Sequence, residues 1–192
     1  MDNQNSKKTF LSNIVDYVEL LVIAVCLVIG IFSFAFRTCT VDGNSMNNTL
    51  IDKQVIIVSD VFYTPERYDI VVFHQTDNTA NVNRNKPLVK RVIGVGGDTV
   101  KIDYDTWEIS VTDKNGNTEV LEEDYIYLSQ RASAFSGTRE YVVPEGSLFV
   151  LGDNRNESLD SRYSDVGFVD QRRVLGKVIL RVSPLSEFGI VN

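Results

Sequence analysis

The residues best suited to chemistry begin at Asp42-Gly43-Asn44-Ser45-Met46-Asn47-Asn48-Thr49-Leu50. Ser45 follows Gly and Asn, residue types that supply tight or left-handed backbone, so a bend can project its hydroxyl. Taken alone, the stretch reads first as a polar turn between a membrane helix and a first strand. A serine needs a base to become a nucleophile. A Ser-His-Asp triad would have to use His74, the only histidine, which ends an apolar run and has no distinctive motif around it. The other route is a neutral lysine. An ordinary lysine, with a pKa near 10.4, is deprotonated only to roughly a few parts in ten thousand at pH 7. Burial penalises the cation and brings that value down. Lys90, flanked by Leu88, Val89, Val92 and Ile93, has such a setting.

A third stretch completes the chemistry. Ser147-Leu148-Phe149-Val150-Leu151 reads as a buried strand and runs into Gly152-Asp153-Asn154-Arg155-Asn156-Glu157-Ser158-Leu159-Asp160-Ser161-Arg162. So dense a set of Asp, Asn, Arg and Ser is not ordinary loop composition. A hydroxyl from it, such as Ser158, could orient the lysine amine. Calcium is a rival use for Asp153, Asn154 and Asp160, but the spacing is not that of an EF-hand and two arginines in the loop would repel a divalent cation. Cys26 and Cys39 are the only cysteines, without CxxC or a nearby histidine. On a helix they would stand roughly 20 Å apart, too far to bridge. No metal or cofactor is expected.

These residues must be positioned by the surrounding elements. The polar segment 1–13 carries Lys7 and Lys8, and an almost wholly apolar segment, 14–36, follows and closes at Arg37. Its length suits a bilayer. A cleavable signal would need a small-x-small site in a polar setting; Ser33-Phe34-Ala35 lies among phenylalanines, which favours a retained anchor. The two lysines against Arg37 favour a cytoplasmic N-terminus with the remainder outside.

Beyond the anchor the pattern is β. Gln54–Val58, Tyr68–Phe73, Leu88–Ile93, Val100–Asp103, Trp107–Val111 and Val174–Val182 read as strands, with a hairpin turn at Asn115-Gly116. Residues Thr76–Thr79 and Asn81–Lys86 read as an exposed hairpin loop. Lys90 and Arg91 point to opposite faces, so one of them faces inward or the strand is a charged sheet edge. Segment 99–146 reads as a separate small β excursion without the residue types of a chemical site. The net charge of −7 argues against a nucleic-acid partner.

Four boxes in this order resemble the type I signal peptidases, in their single-anchor Gram-positive form. They are Ser45-Met46-x-x-Thr49-Leu50, Tyr68-Asp69-Ile70-Val71-Val72-Phe73, Lys90-Arg91-Val92-Ile93-Gly94-x-Gly96-Gly97-Asp98, and the loop from Gly152 to Arg162. The resemblance runs from the anchor to about Gly176. It implies a mostly β fold behind a transmembrane helix: catalytic core 37–98 and 147–192, with a smaller β subdomain inserted at 99–146. It implies a membrane-bound serine endopeptidase that removes signal peptides from secretory preproteins after small-x-small sites. By position Ser45 is the nucleophile and Lys90 the base. Ser158 matches the hydroxyl that holds the lysine, and Asp153, Asp160 and Arg162 match polar residues that brace the site. Val41, Met46, Leu50, Leu88 and Val89 fall where the family lines its pockets, with the substrate extended along a strand edge.

Three positions depart from the family pattern. Asn48 stands where proline is usual and loosens the turn after Ser45. Glu157 brings a carboxylate beside Ser158. Gly43 lacks the second oxyanion hydroxyl of many Gram-negative members. The rival readings are a peptidase devoted to one substrate such as a pilin, and an inactive anchored homologue acting in assembly. A self-cleaving repressor would need a DNA-binding domain, and a sortase-like enzyme a reactive cysteine in the soluble part.

Overall fold

The computed structural model describes residues 2–75, 87–129 and 134–191, with side chains from residue 15 onward. The hairpin loop expected between residues 76 and 86 lies outside the described residues. The chain forms two units, which meet in sequence at Arg37 and Thr38.

The first unit is one helix, α1 (Asp2–Ala35). Within it Val15–Ala35 is long and apolar enough to cross a membrane. At 1.5 Å per residue, 21 residues reach about 31 Å, the thickness of a bilayer's hydrocarbon core. From Val15 onward its Leu, Ile and Val side chains are exposed. This is compatible with a single-pass anchor.

The second unit is built from antiparallel strands. In chain order they are β1 (Arg37–Thr40), β2 (Val55–Ser59), β3 (Ile70–His74), β4 (Pro87–Val95), β5 (Thr99–Asp103), β6 (Ile109–Thr112), β7 (Thr118–Val120), β8 (Thr138–Val142), β9 (Ser147–Leu151), β10 (Val169–Asp170), β11 (Val174–Ser183) and β12 (Gly189–Ile190). One sheet runs β1-β2-β11-β3-β4-β9-β10, with β12 added to β11; a second runs β7-β6-β5-β8. The mostly β class with one apolar N-terminal helix is as expected.

Strand β3 is buried on both faces: Ile70 and Val72 enter one apolar cluster, Val71 and Phe73 another. A third cluster joins the sheets, packing Ile93, Phe149 and Leu151 against Val100, Ile102 and Ile109.

The edge-strand reading of Lys90 and Arg91 is overturned. β4 lies inside the sheet between β3 and β9, and both cations are 2 % exposed. Arg91 is tolerated because its guanidinium is fully engaged, by Asp153 and by the Tyr68 carbonyl. Two expected strand starts are also late. Tyr68 and Trp107 have positive φ, 73° and 62°, so each belongs to a turn that precedes pairing.

Candidate active site

Ser45 lies in the turn after β1. The turn is tied down from several directions. Leu50 N donates to Met46 O at 2.8 Å, Thr49 Oγ1 donates to Asp153 Oδ2 at 2.5 Å, and Arg181 donates to Thr49 O at 3.1 Å. Asn48 therefore does not leave the turn loose. Asn154 holds it from the other side: its backbone N–H donates to Ser45 O and its Nδ2 to Asn44 O, each at 3.1 Å.

Lys90 reaches this turn from the middle of β4. Its Nζ is 2.7 Å from Ser45 Oγ and 2.8 Å from Val89 O. Burial pushes the Lys90 amine down from 10.5 to about 8. The carboxylates of Asp160 and Asp153 pull the other way, and Arg162 adds to the lowering. Glu157 is exposed and is not among the charges that act on the lysine.

The polar loop after β9 is a braced scaffold. Asp153 takes Arg91 in a two-pronged pair at 3.0 and 2.8 Å. Asp160 takes Arg162 likewise at 2.7 and 2.8 Å, and also accepts from Gly152 N at 3.0 Å. Both carboxylates are thus committed to arginines, which removes the loop's argument for calcium. Gly152 has no room for a side chain: a Cβ there would sit 2.2 Å from Ser158 Oγ and 2.5 Å from Ser45 O. Ser158 is consequently close to Ser45, but its buried Oγ makes no hydrogen bond among the described residues. The direct bond from Ser158 to the lysine is not formed in this structure.

A small cleft of about 130 Å³ opens on the pair. Val41, Met46, Leu88 and Val89 line it together with Ser45 and Lys90. Leu50 does not; it is fully buried in the apolar cluster with Val41 and Met46, supporting the wall from behind. His74 is exposed at the end of β3 and is not part of the cleft lining.

Segment 119–129, which carried no chemical signal in the sequence, turns out to touch the loop. Tyr127 N donates to Asp153 O at 2.9 Å, and Arg155 N donates to Tyr127 O at 3.1 Å. Glu123 pairs with Arg155, and the Tyr125 ring lies 3.8 Å from the Arg91 guanidinium. Only acidic clustering from Glu119 to Asp124 could have marked this stretch, and acidic runs are usually solvated.

Comparisons with known proteins point to one family. The family model described as signal peptidase, peptidase S26, matches residues 14–183. The protein named "Probable signal peptidase I-2" of Synechocystis sp. is 33 % identical over 180 residues, covering 91 % of this chain and 75 % of that protein. Signal peptidase IB of Staphylococcus aureus strain COL is 32 % identical over 185 residues, covering 91 % of this chain and 92 % of its own. Signal peptidase I of Bacillus licheniformis is 32 % identical over 185 residues, covering 92 % of each chain. With a family match that spans the anchor, the Ser45 turn, the Lys90 strand and the polar loop, the chain belongs to the signal peptidase family, peptidase S26.

Proposed function

We propose that this chain is a membrane-anchored signal peptidase I that cleaves preproteins with a Ser45–Lys90 dyad. The observation that carries the reading is the 2.7 Å approach of a buried lysine amine to a serine hydroxyl in a cleft whose lining includes Val41, Met46, Leu88 and Val89. Neutral Lys90 accepts the Ser45 proton as Oγ attacks the scissile carbonyl. The oxyanion accepts from the backbone N–H of Ser45, a fixed dipole that needs no reorganisation. The Lys90 ammonium then returns its proton to the departing amine, leaving an ester on Ser45. Lys90, neutral again, takes a proton from the water that opens the ester. Ser158 turns its hydroxyl toward the amine during the cycle, and Asp153, Asp160 and Arg162 hold the loop in which it sits.

The cleft walls of Val41, Met46, Leu88 and Val89 leave room for small side chains, which supports cleavage after small-x-small sequences of the Ala-x-Ala kind. The substrate lies extended beside a strand edge. α1 holds the enzyme in the cell membrane with its N-terminus in the cytoplasm and the β unit outside, where signal peptides emerge. The β unit comprises a catalytic core, 37–98 and 147–192, and an inserted subdomain, 99–146.

The test is incubation of the full chain in detergent with a preprotein, followed by mass-spectrometric mapping of the cut. Processing after Ala-x-Ala, lost in Ser45→Ala and Lys90→Arg and retained in His74→Ala, is the expected result. A guanidinium stays charged and cannot accept a proton, so an active Lys90→Arg enzyme would remove the dyad.

A further inference from the structure

Within the second unit, a single buried carboxylate connects the second sheet's segment to both sides of the polar loop. The Glu123 side chain is 4 % exposed and that of Arg155 is fully buried. Glu123 accepts from both terminal nitrogens of Arg155, at 2.5 and 3.2 Å, and from the Tyr125 hydroxyl at 2.7 Å. Each of these two donors leads inward. Arg155 Nε donates to Gly152 O at 3.2 Å, and Gly152 is packed against Ser158 and the Ser45 carbonyl. Arg155 O accepts from Arg162, the partner of Asp160. Tyr125 lies on the Arg91 guanidinium that grips Asp153. Asn154, between Asp153 and Arg155, donates to Ser45 O.

We propose that Glu123 is a positioning residue for the Ser45–Lys90 site, acting through Arg155 on Gly152 and through Tyr125 on the Arg91–Asp153 pair. The inference rests on the functional reading above. An arginine cannot shed its proton, so without Glu123 a buried charge stands uncompensated. Arg155 must then turn to another acceptor or draw in water. Either motion drags the Gly152 carbonyl and the Asn154 amide, and with them the Ser45 turn. Displacement of a reacting group by about 1 Å costs on the order of a hundredfold in rate. Water admitted beside Lys90 weakens the desolvation that lowers its pKa, leaving the opposing field of Asp160 and Asp153 less balanced; the lysine ionisation moves up from about 8.

The experiment measures kcat and KM from pH 6 to 10 for Glu123→Gln, Glu123→Asp and the exposed neighbour Glu122→Gln, all as full chains in detergent acting on an Ala-x-Ala preprotein. Folding is followed by fluorescence of Trp107, the only tryptophan. Glu123→Gln should lose about a hundredfold in kcat, with KM within about twofold and the kinetic ionisation raised. Glu123→Asp keeps the charge but is one methylene short of Arg155, so it should recover both only in part, and Glu122→Gln should behave as wild type. A folded Glu123→Gln enzyme with an unchanged kcat overturns the proposal. So does a lower kcat with the ionisation unmoved, which marks a merely structural role. If Glu123→Gln fails to fold, the folded Asp variant decides: lowered kcat with raised ionisation supports the proposal, and wild-type values defeat it. Ser45→Ala is run in parallel. If it stays active, the dyad reading falls and this inference with it; if it is dead while Glu123→Gln is normal, only this inference falls.

Discussion

Lys90→Met separates the catalytic use of the lysine from its energetic cost. Methionine keeps the length and the apolar stem and drops the amine. In the folded chain the amine is depressed from 10.5 to about 8, chiefly by burial. At about 1.4 kcal/mol per pH unit, that difference corresponds to ~3 kcal/mol. The sign follows from proton binding. Below about pH 8 both folded and unfolded chains carry the proton, and the full penalty of burying an ammonium is present. Between about 8 and 10.5 the unfolded chain holds a proton that the folded chain has released, so stability rises with pH. Above that range both are neutral and the penalty is gone. Lys90→Met should therefore be inactive yet more stable than wild type at pH 7, by ~1–3 kcal/mol once the lost bonds to Ser45 and Val89 O are deducted. The advantage should shrink by ~3 kcal/mol on going to pH 10.5. Urea unfolding of the two full chains in detergent, followed through Trp107, reads this as a midpoint difference of about 0.5–1.5 M, at a slope of about 2 kcal/mol per M, that narrows with pH. Tyrosines and other lysines titrate in both proteins, so the difference isolates position 90. A stability difference that stays constant from pH 7 to 10.5 would refute the argument that the buried amine is destabilised as a cation.

Three further outcomes follow from the same geometry. The kcat of the wild-type enzyme should rise about tenfold per pH unit below about 8 and level off above it, as Lys90 loses its proton; a profile flat from pH 6 to 9 would exclude this base. Gly152→Ala drives a methyl group to 2.2 Å from Ser158 Oγ and 2.5 Å from Ser45 O, so processing should fall by about a hundredfold or more while the chain still expresses in membranes, checked by pulse-chase of a preprotein. Changing the residue just before the cut from Ala to Phe should abolish processing, because the cleft holds only about 130 Å³; equal rates in a competition assay would show that this cleft does not take that side chain.

What the sequence decided by itself is local. An apolar stretch long enough to cross a bilayer identifies α1 whatever the rest of the chain does, since hydropathy and length are properties of the segment. Ser147–Leu151 is legible as a buried strand because five residues with little polarity must be covered. Lys90 stands out because a cation inside an apolar run must be either neutralised or used. Ser45 is marked by its Gly and Asn neighbours and by the order of the boxes. Tertiary structure decided the rest. Tyr68 and Trp107 look like strand residues by type, but their positive φ is imposed by the turns they close. Leu50 differs little in sequence from the cleft residues Val41 and Met46, and only packing puts it behind them. Arg91 is tolerated in the interior because Asp153, 62 positions away, meets it. Glu123 reaches Arg155 across 32 positions. No periodicity of 2 or 3.6 residues carries information over such separations; partners that distant are chosen when sheets stack and buried charges must find each other.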